Sequence, residues 1–218
     1  MQWAMDEVAD SLERVFRQSE ENLKLEQAVY GLDAMKETAV QDLLGRAIND
    51  DGFATAAREV HYPSDLGKKR PSRRRCDLVL TPPGRPLLQA DEANLFTPTD
   101  ACPAEQALWL ELKLAHQFAE GGRNHGGYGQ QWRQATVKDL QKMETETRVR
   151  EAALMLLVFT AGADIAAKDL ELFEDVLAMK QVLAGFRQTR QIEIVERNGH
   201  THLTIALWPT VQRTEIPA

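Results

Sequence analysis

Only two cysteines occur in the 218 residues, Cys76 and Cys102, far apart and without metal-ligand spacing. That excludes a disulfide framework and suits a reducing compartment. No apolar run approaches the roughly 18 residues that a membrane span needs. The longest, Ala152 to Phe159, reads as a buried strand. The first residues, Met1 to Glu7, lack the basic and then apolar order of a secretory signal. A cytoplasmic protein with no membrane contact is therefore expected. The five histidines show no metal spacing, and there is no Walker loop, dinucleotide fingerprint, nucleophile elbow or internal repeat. Charge of one sign is also scarce where a nucleic-acid coat would need it, since the net charge is −7. The balance is uneven, however. Lys68, Lys69, Arg70, Arg73, Arg74 and Arg75 put six cations into eight residues, while acids dominate the amino-terminal third. A local polyanion site needs a basic patch and not a basic average.

With 43% hydrophobic and 27% charged residues, the chain has the composition of a globular protein able to bury a core. One domain over 1–218 is expected, with 1–31 as a helical extension and 82–106 as an inserted loop rich in Pro, Asp, Glu and Thr. Val8, Leu12, Val15 and Phe16 recur at helical spacing within 4–29. Leu32 to Asn49 reads as a helix with an apolar stripe of Val40, Leu43, Leu44, Ala47 and Ile48, ended by Asp50-Asp51-Gly52. Strands are predicted over 53–62, 76–80, 107–115 and 152–159, and helices over 129–150 and 165–183. Asn198-Gly199 marks a hairpin between 191–197 and 201–208. The order helix, three strands, helix, strand, helix, hairpin predicts an α/β fold with a central mixed β-sheet flanked by helices.

The third strand carries the chemistry. Period-two alternation puts Leu108, Leu110, Leu112 and Leu114 on one face, and Trp109, Glu111 and Lys113 on the other. A carboxylate and an ammonium group thus point the same way from a strand apolar enough to lie inside the sheet. In the second strand Asp77 interrupts Cys76, Leu78, Val79 and Leu80. Alternation places Cys76, Leu78 and Leu80 on one face, with Asp77 and Val79 on the other. A carboxylate there is costly unless paired or bound to metal. Two carboxylates on adjacent strands offer hard oxygen ligands for Mg²⁺ or Mn²⁺.

Glu37 shares a helix face with Val40, Leu44 and Ile48, an unexpected place for an acid. Gln131, Lys138 and Lys142 lie on one face of the helix after the triplet, at separations of 7 and 11. Glu59 in the first strand reads as an edge residue. The basic run enters the Asp77 strand and reads as a clamp on a phosphate backbone, which carries affinity and not sequence specificity.

Asp77 with Glu111-Leu112-Lys113, in this order of elements, resembles the PD-(D/E)xK nuclease superfamily over roughly Leu32 to Thr160. Cys76 stands where the motif has proline, and the separation of Asp77 from Glu111 is longer than is typical. The resemblance implies a restriction-endonuclease-like core (α-β-β-β-α-β) with a C-terminal helix and β-hairpin. It implies a Mg²⁺- or Mn²⁺-dependent phosphodiesterase acting on nucleic acid, with DNA expected over RNA, and a homodimer among its expected partners. Asp77, Glu111 and Lys113 would be catalytic, and Asp77, Glu111 and Glu37 would lie at the metal. Lys68, Lys69, Arg70, Arg73, Arg74, Arg75, Gln131 and Lys138 would meet substrate. A noncatalytic nucleic-acid-binding or scaffold protein on the same fold is the alternative.

Overall fold

The computed structural model describes residues 3–65, 74–88 and 99–211. Lys68, Lys69, Arg70 and Arg73 lie outside the described residues.

Helix α1 (Met5–Leu25) buries Val8, Leu12, Val15 and Phe16, the stripe legible from spacing, and places Asp6 and Glu7 in its first turn. Leu32–Ala34 forms a single 3₁₀ turn, and helix α2 begins only at Glu37, running to Asp51 (Glu37–Asp51). The expected start at Leu32 fails because Asp33 is drawn away to a buried contact with His200. Gly52, left-handed at φ 70°, ends α2.

Strands β1 (Thr55–His61), β2 (Arg75–Thr81) and β3 (Leu108–His116) follow. A small ribbon of β4 (Phe118–Ala119) and β5 (Arg123–Asn124) precedes a continuous helical segment. That segment comprises α3 (Tyr128–Gln130), a π-helical turn (Gln131–Ala135) and α4 (Thr136–Glu144). The predicted helix end at Arg150 gives way to turns after Glu144. Strand β6 (Glu151–Thr160), helix α5 (Ala163–Met179), β7 (Gln188–Glu193) and β8 (His202–Pro209) complete the chain.

The six-stranded sheet has the order β1-β2-β3-β6-β8-β7. All neighbours are antiparallel except β3 and β6, which run parallel through the α3–α4 crossover. β6 is central and apolar on both faces because each face is roofed by helices. Leu108, Leu110, Leu112, Met155 and Leu157 pack beneath α1 and α2, and Trp109, Leu154, Leu156 and Val158 beneath α4 and α5. The sheet is thus sandwiched between two helical layers. Among the described residues, no helix is long and apolar enough to cross a membrane.

The described ends of the long 82–106 connection run beside one another. Leu88 N–H donates to Cys102 O at 2.8 Å and Cys102 N–H to Pro86 O at 2.7 Å. This returns the chain to pair Leu80 with Leu108, so β3 lies directly beside β2 despite the length of the connection. The expected tight hairpin at Asn198-Gly199 is instead a longer connection, because Glu20 on α1 accepts from both Val195 N–H and Arg197 Nη1 at 2.9 Å. That contact draws 195–197 away from the partner strand; Ile194 N–H still donates to Thr201 O at 2.9 Å, and the strand ends at Glu193.

Candidate active site

Strict alternation along β2 stops at Asp77. Leu78 and Leu80 face α2, yet Cys76 joins Val79 and Trp109 on the opposite face. The reason lies in the pairing between β2 and β3, which covers only Leu78↔Leu110, Val79↔Trp109 and Leu80↔Leu108. Beyond it, Leu112 N–H donates at 2.7 Å to Asp77 Oδ2, and Leu110 O accepts from Cys76 Sγ at 3.3 Å. Side chains of β2 therefore take over the bonding where its backbone leaves β3. On the other flank of β2, Glu59 of β1 adopts φ 53° between the pairs Arg58↔Leu78 and Val60↔Cys76. Glu59 is exposed on the edge strand, as its position predicted.

Asp77 is 9% exposed, and its Oδ1 accepts from Gln41 Nε2 at 2.9 Å. Gln41 belongs to α2, one turn beyond Glu37. Lys113 Nζ lies 3.3 Å from Glu37 Oε1, 3.4 Å from Asp139 Oδ2 and 3.9 Å from Asp77 Oδ2, and donates to Leu112 O at 2.7 Å. Glu111, 2% exposed, pairs with a different cation: its Oε1 accepts from Lys142 Nζ at 2.6 Å and from the Tyr62 hydroxyl. Among the described residues no bond is made to Glu111 Oε2. Lys142 also sits 4.8 Å from the centre of the Tyr62 ring, which stacks on Trp109 at 5.4 Å.

Four carboxylates (Glu37, Asp77, Glu111, Asp139) thus meet two ammonium groups (Lys113, Lys142), a formal excess of two negative charges in a largely buried place. The electrostatics register that excess. Burial, and then the charge of Asp77, push the Glu111 carboxyl up to about 7, against the opposing pull of Lys142 and Tyr62. Burial likewise raises Glu37 and Asp139, each opposed by Lys113 and each pushed further by Asp77. For Lys113, burial works against the ammonium form, but Asp139, Glu37 and Asp77 outweigh it and hold its pKa above the ordinary value. Burial also raises the Tyr62 phenol, with Cys76 and Glu111 adding to it, so its proton stays available to donate to Glu111.

This has a consequence for stability. A carboxyl whose folded pKa exceeds its unfolded value binds the proton more tightly when folded. Its contribution is present in full below the unfolded value near 4.5, and is lost as pH rises through about 7. Thermal melts of the metal-free protein should show stability falling between pH 5 and 8. Glu111→Gln should make that fall shallower; an unchanged slope would mean that Glu111 is not the group responsible.

The structure brings together four of the residues singled out in the sequence, Glu37, Asp77, Glu111 and Lys113. Lys138 is exposed and points elsewhere. The π turn at Gln131–Ala135 carries an extra residue, which rotates the helix beyond it by about 100°. The position that α-helical counting gives to Lys138 therefore falls to Asp139. Gln131 is also outside the cluster, where its Oε1 accepts from His116 N–H at 2.9 Å. Arg74 and Arg75 are exposed at the start of β2; Arg75 Nε donates to His61 Nε2 at 3.3 Å, and Arg75 O accepts from Lys142 at 3.1 Å. Sequence reasoning missed Gln41, Tyr62 and Asp139, and left Lys142 without a role. Of these only Gln41, a polar residue on the buried stripe of α2, left a signal to follow.

Carboxylate oxygens of Asp77 and Glu111 suit Mg²⁺ or Mn²⁺ as a donor set, and the uncompensated negative charge favours a cation. Among the described residues, no group of three or more His, Cys, Asp or Glu is placed to hold a metal ion. Mg²⁺ commonly takes only one or two protein carboxylates, with water and substrate oxygens completing its shell. Comparison with protein-family models, with curated proteins and with solved structures gives no match to this chain, so the site speaks through its own geometry.

Proposed function

We propose that the chain is a metal-dependent phosphodiesterase acting on nucleic acid, with DNA as the expected substrate. The observation that carries this reading is Asp77, placed where β2 leaves β3, with Lys113 Nζ 3.9 Å from its Oδ2 and Glu111 close enough to be pushed up by its charge. The order α2-β1-β2-β3-α4-β6, with the acid on the second strand and Glu111-Leu112-Lys113 on the third, also follows the PD-(D/E)xK pattern that the sequence resembles.

Asp77 and Glu111 would hold Mg²⁺ or Mn²⁺, with Glu37 near it. When bound, the ion supplies Lewis-acid polarisation of the scissile phosphate and lowers the pKa of a coordinated water. The chain's own groups do the rest. Gln41 and the Leu112 N–H fix the Asp77 carboxylate from two sides. Tyr62 and Lys142 grip one oxygen of Glu111 and leave its other oxygen free of bonds from the described residues. Lys113 would orient the attacking water and offset the negative charge that grows on phosphorus. Arg74 and Arg75, at the mouth of the cluster, would meet the backbone of the substrate.

Incubation of the protein with supercoiled plasmid, single-stranded DNA and RNA, with Mg²⁺, Mn²⁺ or EDTA, tests this reading. Cleavage that requires the divalent ion is expected on DNA. Binding with no metal-dependent cleavage of any of the three substrates would favour a noncatalytic scaffold.

A further inference from the structure

The two edges of the six-stranded sheet are unlike. An outer strand offers unpaired backbone groups to any other strand, and most proteins blunt it with a twist, a proline or outward charges. At β1 the edge is interrupted by Glu59, held at φ 53°. At the other edge β7 reads Gln188-Thr189-Arg190-Gln191-Ile192-Glu193, with neither proline nor lysine. Its one cation, Arg190, is turned onto α1, where Nε donates to Asp10 Oδ1 at 2.6 Å. Among the described residues nothing pairs with the outer side of β7.

Large apolar side chains are exposed beyond both ends of this strand. Phe186, two residues before it, is 94% exposed, and Leu183 and Met179 are exposed close by in the chain. The bridge between Ala184 and Thr210, with Gly185 N–H donating to Pro209 O at 2.7 Å, fixes that loop at the end of β8. Two residues past the strand, Val195 is exposed, and its N–H donates to Glu20 of α1. Arg197 Nε donates to Ala28 O at 3.1 Å, which brings the exposed Leu25, Val29 and Tyr30 to the same end. Side chains of this size expose on the order of 100 Å² each, so the two patches offer roughly 700 Å² per chain. A stable interface of standard size buries about 800 Å² per partner, and patches this large mark association.

We propose that β7 pairs antiparallel with β7 of a second copy of this chain, across a two-fold axis at Gln191. A two-fold axis at the middle of the strand lays the Phe186 patch of each chain on the Val195 patch of the other, so each copy covers both of its partner's patches. Two registers pair the strand over nearly its full length, with either Arg190 or Gln191 on the axis. The first sets Arg190 directly opposite the partner's Arg190, a destabilising pair of like charges. The second sets Arg190 opposite the partner's Ile192 and Thr189 opposite the partner's Glu193, with no like charges facing. Seven strand spacings then separate β3 from its counterpart, roughly 30 Å, so each carboxylate cluster stays complete within its own chain. The dimer therefore does not depend on the nuclease reading.

Sedimentation velocity of the full chain, without metal or nucleic acid, tests the proposal from about 1 to 100 μM. A species of twice the chain mass is expected. Phe186→Asp and Val29→Asp, both at exposed positions, should keep the circular dichroism of the parent and raise the dimer dissociation constant at least about 100-fold. Cysteine pairing reads the register. Gln191→Cys should form a disulfide-linked dimer on mild oxidation, because residues facing each other across antiparallel strands lie within disulfide reach. Glu193→Cys should not, since in this register it lies about 13 Å from its own counterpart. Cys76 and Cys102 are buried and do not compete. A parent chain monomeric at the highest concentration, a dimer indifferent to Phe186→Asp, or cross-linking at Glu193 as ready as at Gln191 would each overturn the proposal.

Discussion

Lys113→Ala is expected to lower Mg²⁺-dependent cleavage by about 10²- to 10⁴-fold, the span typical of a lost proton-transfer group or charge stabiliser. Metal affinity should change much less, because neither proposed ligand depends on Lys113 for its position. Asp77 is held by Gln41 and Leu112 N–H, and Glu111 by Tyr62 and Lys142. The loss should therefore appear in single-turnover rate and not in the metal concentration for half-maximal activity. Lys113 also lies within 4 Å of Glu37, Asp77 and Asp139, so its removal leaves three acids less compensated. The variant should then be less stable at neutral pH and regain stability on acidification. Lys113→Arg is not expected to rescue turnover. A planar guanidinium presents its donors as a fork and cannot reproduce a compact point charge set among three carboxylates and the Leu112 carbonyl.

Trp109→Ala is expected to have the largest effect on stability, about 3–5 kcal/mol. That is a large fraction of the total stability of an ordinary domain. Trp109 is 1% exposed, donates from Nε1 to Ala104 O at 3.0 Å, and provides the surface on which Tyr62 stacks. Truncation opens a cavity near the start of β3 and removes the support behind the Tyr62 hydroxyl that grips Glu111. Urea titration should show a lower midpoint with an unchanged slope, and the folded fraction should cleave more slowly than the parent chain. Trp109→Phe should recover most of the stability, since it keeps a ring against Tyr62 and loses only the indole donor.

The parts of this arrangement that were legible in the sequence are those set by local pattern. The apolar run of β6, the leucine alternation of β3 and the stripe of α2 each depend on residues a few positions apart, and their periods state which face is buried. The acids of the cluster stood out for the same reason, as polar residues interrupting an apolar pattern. What alternation could not convey was the departure of β2 from β3 at Asp77, which turns Cys76 to the opposite face. That bend is set by bonds from Asp77 and Cys76 to backbone atoms of β3 more than thirty residues away. The π turn at Gln131–Ala135 was equally silent, and its single extra residue exchanged Lys138 for Asp139. Tyr62 at the end of β1 carries no periodic signature, and its role appears only once Trp109 and Glu111 lie beneath it. Asp33 shows the same limit from another direction. It reads as the first turn of a helix, yet it belongs to a buried contact with His200 across the molecule.

The claim on which the proposed function depends is that Asp77 and Glu111 share one divalent ion. Titration of Mn²⁺ into the protein with an uncleavable phosphorothioate DNA present, read by electron paramagnetic resonance, measures this directly. One ion per chain is expected for the parent protein, with Asp77→Asn and Glu111→Gln each weakening it at least about tenfold and Lys113→Ala leaving it nearly unchanged. Equal Mn²⁺ affinity in the parent protein and both carboxylate variants, or no bound ion in any of them, would contradict it.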